Sequence, residues 1–142
     1  WRLVGYHDVL AASPKLLERT GPITHPSQLD RQPGCIYTGY GQPTPWRLTR
    51  GDEVHEPAVE AVFRSDAGEA LMAAAIRGFG FVLQPDFLVG PLLAEGSLVP
   101  VLPEWTSRAG NLWAVTPTKL VPATVRAFLD AMQRDLANPG WR

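Results

Sequence analysis

The stretch from Asp66 to Pro85 constrains the fold more than any other part of the sequence. Ala67, Ala70, Leu71, Ala74, Ala75 and Gly78 recur at i, i+3, i+4, i+7, i+8 and i+11, which is one face of an α-helix. Small side chains on that face permit close approach to a sheet. Asp66 is the expected N-cap, and Glu69 three residues later completes a capping-box pattern. Gly78 is the expected stop. Phe79-Gly80-Phe81-Val82-Leu83 then forms a short apolar run closed by Gln84-Pro85. A strand covered on both faces reads this way, and such strands belong to parallel sheets lying between helices.

The same alternation continues on both sides. Asp8–Ala11 reads as a strand, and Lys15–Thr20 as a short helix with Ser13 as its N-cap and Pro14 in its first turn. A helical turn is expected at Pro26–Leu29 and a strand at Cys35–Tyr37. Gly39–Pro45 reads as a loop. Trp46–Leu48 and Ala58–Phe63 read as strands around a turn at Arg50–Glu53. Asp86–Glu95 is a second helix that Gly90-Pro91 is expected to break. Leu98–Leu102 and Leu112–Thr116 are expected strands, the first at an edge because of Pro100. Val121, Val125, Phe128, Leu129, Met132 and Leu136 mark a last helix, with Pro122 at its start and Asn138-Pro139-Gly140 at its end. Helices alternating with short apolar strands give an α/β fold with a mainly parallel sheet. In such folds ligands sit at the carboxyl ends of strands and at helix N-termini.

The chain has 142 residues, 45% of them apolar, and a formal net charge of −1. That suits one domain with a core, and it excludes binding to DNA phosphates by bulk charge. No apolar run reaches the length of a membrane helix, so no membrane partner is expected. Cys35 is the single cysteine. It forms no internal disulfide and no CxxC pair, and it reads as a buried apolar residue in a chain suited to the reducing cytoplasm. The opening Trp1-Arg2-Leu3-Val4-Gly5 lacks an initiator Met and the shape of a signal peptide. The chain is expected to be a piece of a longer protein, although a processed secreted protein also starts this way.

Catalytic constellations are not found. His7, His25 and His55 show no metal spacing. Ser13, His25 and Asp30 string together as a triad only on paper, because Ser13 lies in a helix cap and not in a GxSxG elbow. Glu53, Glu56 and Glu60 read as a solvated face. Gly78-Phe79-Gly80 follows a helix and precedes a strand, the reverse of a phosphate-cradling loop. Trp46, Trp105 and Trp113 read as core or rim. Neither a metal nor a cofactor is expected. One feature points to binding: Ser65, Asp66 and Ala67 open the best helix just after a strand, where free backbone amides can hold a polar ligand group. The plain alternative is that Asp66 only caps the helix, and its charge competes with an anion for the same amides.

Several segments, in order, resemble the effector-binding domain of LysR-type transcriptional regulators. They are Ala12-Ser13-Pro14-Lys15-Leu16-Leu17, Gly21-Pro22-Ile23, Pro26-Ser27-Gln28-Leu29 and Cys35-Ile36. Gly68-Glu69-Ala70 through Gly78-Phe79-Gly80 and on to Pro85 follows, then Glu95-Gly96-Ser97-Leu98-Val99-Pro100 and Val125-Arg126-Ala127-Phe128-Leu129-Asp130. Leu16 stands where the family often has Tyr, and Gln28 where it often has Asp. The resemblance implies a type 2 periplasmic-binding-protein-like fold with its first subdomain largely missing. Residues 12–111 would be the second subdomain, 8–11 and 112–116 the crossover strands, and 122–138 a helix of the first subdomain. It implies a small-molecule effector in a cleft near Ser65, Asp66 and Ala67, with Ser13 and Gln84 as weaker candidates. It further implies self-association as a homodimer or tetramer, and DNA contact only through an N-terminal helix-turn-helix outside this chain. Two other readings remain: a transporter's substrate-binding protein of similar fold, and a small enzyme on that fold.

Overall fold

The structure, a computed structural model, describes residues 1–42 and 44–142. Pro43, within the expected loop Gly39–Pro45, lies outside the described residues. Strand β1 runs from Arg2 to Ala12, well beyond the expected Asp8–Ala11. After it come α1 (Pro14–Thr20), a 3-10 turn (Pro26–Leu29), β2 (Pro33–Tyr37), β3 (Leu48–Arg50) and β4 (Glu53–His55). The chain continues through β5 (Glu60–Ser65), α2 (Gly68–Ile76), β6 (Val82–Pro85), α3 (Asp86–Glu95), β7 (Val99–Pro100), β8 (Ala109–Trp113) and α4 (Ala123–Leu136).

The mainly parallel sheet is present. β5 pairs with β2 in parallel. β2 reaches the next strand through Phe81, whose carbonyl accepts from the Cys35 N–H at 2.8 Å and whose N–H donates to the Pro33 carbonyl at 2.8 Å. β6 and β7 both pair antiparallel with β1. The order is therefore β5-β2-β6-β1-β7, with β1 alone reversed. Alternation along the strands splits the core into two clusters. Leu10, Ala12, Phe81 and Leu83 join the cluster that holds Leu16, Leu29 and Trp46. Ala11, Cys35 and Val82 join the one built on Leu71, Met72 and Ala75 of α2 and on Val89 of α3. Both faces of the central strands are covered, as the apolar run at 81–83 requires.

The glycines around residue 79 have separate causes. Gly78 takes a φ of +78° and closes α2 in a Schellman turn, with the Gly78 N–H donating to the Ala75 carbonyl and the Phe79 N–H to the Ala74 carbonyl. Gly80 lies so close to the Pro33 carbonyl that a Cβ would come within 2.8 Å of it. Phe79 is turned out to solvent, so the buried strand begins at Phe81 rather than Phe79.

Other expectations move. α2 starts at Gly68 with Ala67 as N-cap and no side-chain cap. Asp66 therefore does not cap it, and the capping box with Glu69 does not form. Asp66 sits one position too early, and the Ser65 hydroxyl accepts from the Ala67 N–H at 3.0 Å instead. α3 is unbroken, with Pro91 inside it. The expected strands at Trp46–Leu48 and Ala58–Phe63 are displaced to β3 and β5, while the Arg50–Glu53 turn joins β3 to β4 as read. The strand expected over Leu98–Leu102 shrinks to β7, because Leu102 takes a positive φ of 50° and leaves the sheet. The strand expected at Leu112–Thr116 is β8, three residues earlier at each end. Its partner β1 begins at Arg2, and the pairing closes one residue further on, where the Ala114 N–H donates to the Trp1 carbonyl at 2.8 Å. No helix among the described residues is long and apolar enough to cross a membrane.

Candidate functional site

β1 changes partner in mid-strand. Arg2 to His7 pair with β8, and Asp8 to Ala11 pair with β6. A cavity of about 790 Å³ opens beside that changeover. Tyr6 and Asp8 line it from β1, two residues apart and so on one face of the strand. Leu83, Gln84 and Pro85 contribute the end of β6, while Asp66, Gly68 and Glu69 contribute the head of α2. Phe87 and Leu88 enter from the first turn of α3, and Tyr40, Trp46 and Arg47 from the loop after β2. Arg108, just before β8, completes the wall. The cavity thus lies where carboxyl ends of parallel strands meet helix N-termini, as expected for an α/β sheet.

Of the residues expected at the site, Asp66 and Gln84 line the cavity. Ser65 and Ala67 flank Asp66 and are joined by their own hydrogen bond. Ser13 lies elsewhere: it is 1% exposed, and its hydroxyl accepts from the Leu16 N–H at 3.0 Å as the cap of α1. The paper triad has no common site either. The Asp30 carboxylate accepts from the Ala58 N–H at 2.8 Å, and His25 caps the 3-10 turn by accepting from the Ser27 N–H. The described residues include no group of three or more side chains able to hold a metal.

Sequence reasoning missed Tyr6, Asp8, Tyr40 and Arg108. The Arg108 guanidinium stands 4.3 Å over the Tyr40 ring, and Tyr40 meets Tyr37 edge-on at 5.1 Å. Tyr6 meets Phe87 edge-on at 5.5 Å. Burial pushes the Asp8 carboxyl up to about 6, against the pull of Arg108 and with a further push from the Asp86 carboxylate. Asp86, the first residue of α3, is 4% exposed. One of its oxygens meets Arg142 at 2.9 Å and His7 at 3.2 Å, and the other has no partner among the described residues. Arg142 also donates to the Gly5 carbonyl, so the last residues tie β1 to α3 beside the cavity. A strand pattern at Tyr6 and Asp8 was available as a signal. For Arg108, far in sequence from both Tyr40 and Asp8, none was.

Known proteins with the same features are regulators. The family described as LysR substrate binding domain matches residues 2–137. The HTH-type transcriptional regulator PtxR of Pseudomonas aeruginosa is 29% identical over 99% of this chain and 46% of its own length. The chain thus spans about half of that relative. The full-length Vibrio cholerae virulence activator AphB, a member of the LTTR protein family, superposes with a TM-score of 0.75 at 26% identity. The match covers 96% of this chain and 47% of AphB. The regulatory domain of CrgA from Neisseria meningitidis shares the fold, with a TM-score of 0.75 at 24% identity over 96% of this chain and 67% of that domain.

Proposed function

Because the chain belongs to the LysR substrate-binding-domain family, we propose that it is the ligand-sensing part of a DNA-binding transcriptional regulator, with a small-molecule effector held in the cavity beside the β1 changeover. The observation that carries this reading is the position of the cavity. It touches both crossover strands, the carboxyl end of β6 and the head of α2. An effector there contacts several elements at once, so its binding energy favours whichever arrangement of them it fits better.

In this reading residues 12–111 form the second subdomain, residues 8–11 and 112–116 lie in the crossovers, and residues 122–138 pack on a first subdomain that is mostly outside this chain. Exposed apolar residues support that division: Val115 is 90% exposed, Leu120 89% and Phe128 61%. Asp66 and Gln84 contact the effector directly, Ser65 and Ala67 fix the turn that presents Asp66, and Ser13 supports the site only by holding α1. In this reading the whole regulator self-associates as a dimer or tetramer and reaches DNA through an N-terminal helix-turn-helix outside this chain; the relative PtxR is itself an HTH-type transcriptional regulator. A transporter role is not favoured, since the relatives are regulators.

A metabolite screen by thermal shift, followed by calorimetry, tests the site. Hits are expected to lose about tenfold in affinity in Gln84→Leu and in Asp66→Asn, in line with loss of one polar contact in a partly desolvated site. Hits unmoved by both substitutions would remove the site assignment.

A further inference from the structure

We infer that this cavity selects effectors carrying a positively charged nitrogen on a flat apolar body, and that it rejects carboxylates. The inference rests on the reading of the cavity as the effector site and names the chemistry that site accepts.

The charges of the wall decide the sign. Two guanidinium groups, Arg47 and Arg108, face four carboxylates, Asp8, Glu56, Asp66 and Glu69. Arg47 lies 3.9 Å from Glu56, and Arg108 lies on the Tyr40 face close enough to Asp8 to draw its carboxyl toward the charged form. That leaves Asp66 and Glu69. Both line the cavity, both are exposed, and neither carboxylate has a salt-bridge partner among the described residues. They stand at the head of α2, where a helix otherwise offers partial positive charge to an anion. Two carboxylates there reverse that preference.

A second observation is independent of charge. Gln84 is 7% exposed and lines the cavity. Its amide nitrogen donates to the Leu83 carbonyl at 2.9 Å, so the amide oxygen is the free end. That oxygen accepts from no described residue and is left free at the cavity wall to accept from an N–H or O–H donor. A carboxylate has no proton to give it, whereas an ammonium group does. The aromatic rings of Tyr6, Tyr40 and Phe87 supply faces for a flat apolar body and attract a cation through their quadrupoles.

The test uses three probes of matched skeleton: 2-phenylethylamine, 3-phenylpropionate and 2-phenylethanol. Affinity and location are read together from amide chemical shifts of the labelled chain at pH 7. The expected result is shifts at Asp66, Glu69 and Gln84, with the amine bound about tenfold tighter than the carboxylate and the alcohol between them. In the double variant Asp66→Asn, Glu69→Gln that preference shrinks to about twofold or less, while shifts at Gln84 persist. Tighter binding of the carboxylate, or an amine preference unchanged in the double variant, overturns the charge assignment and leaves the cavity standing. Absence of shifts at every cavity residue with all three probes overturns both.

Discussion

Asp8 shows how one position can serve the sheet and the cavity together. Its backbone N–H donates to the Arg108 carbonyl at 2.8 Å, and its side chain faces the cavity. The folded chain raises its pKa to about 6, so it holds the proton more tightly than the unfolded chain does. The stability contributed by this protonation is fully present below the ordinary aspartate range near 4 and is lost as pH rises through about 6. After allowance for the solvent that reaches this part-exposed group, the effect is about 1 kcal/mol. Asp8→Asn is therefore expected to flatten the profile of unfolding free energy between pH 4 and pH 6, read by urea denaturation. Ser13 belongs to the same scale. Its buried hydroxyl caps α1, and Ser13→Ala is expected to lower stability by about 1–2 kcal/mol in the same assay without moving the affinity of a cavity ligand. The sequence announced Ser13 correctly as a cap. It misassigned the cap of α2, because a hydroxyl at Ser65 and a carboxylate at Asp66 compete for the same short turn, and only the backbone dihedrals of Ala67 decide between them.

Among the elements, α3 departs furthest from its local sequence. Gly90-Pro91 is a helix-breaking pair, yet the helix runs from Asp86 to Glu95. Pro91 has no N–H to give to the carbonyl one turn back, and Gly90 adds backbone freedom, so propensity opposes the element. Tertiary contacts outweigh it. Val89 is fully buried, and the carbonyl of Trp141 rests against Gly90 where a Cβ would overlap it. Gly90→Ala is expected to push Trp141 off the helix at a cost of about 1–3 kcal/mol, as overpacking does. The emission attributable to Trp141, isolated by difference against Trp141→Phe, should shift to the red. An unshifted spectrum would mean that the tail does not hold this position in solution. By contrast α2 was legible nearly throughout. Its small-residue face, its glycine stop and the buried strand after it are local statements. Contacts of α3 with residues fifty positions away are not local, and no periodicity encodes them.

At the scale of the whole molecule, the sequence conveyed the class of fold, because alternation of helical and apolar strand segments is repeated along the entire chain. It did not convey the cavity wall, which collects side chains from seven elements and their loops. Nor did it convey how much of α4 lies bare: Leu129 is buried, whereas Phe128 and Val125 are exposed. With Leu120 and Val115 they form apolar surface that water does not favour. The chain is expected to bind an environment-sensitive hydrophobic dye, and Phe128→Glu with Leu120→Glu should reduce the dye signal about twofold or more without changing the far-ultraviolet spectrum. The partner change within β1 has a last consequence. The strand is one covalent thread held by two sets of neighbours, β8 for its first half and β6 with β7 for its second. It can therefore come undone in halves. Amide hydrogens at Val9 to Ala11 should exchange only when the main sheet opens, while those at Val4 to Tyr6 should follow the fraying of β8, so that neighbouring amides on one strand report two different opening events.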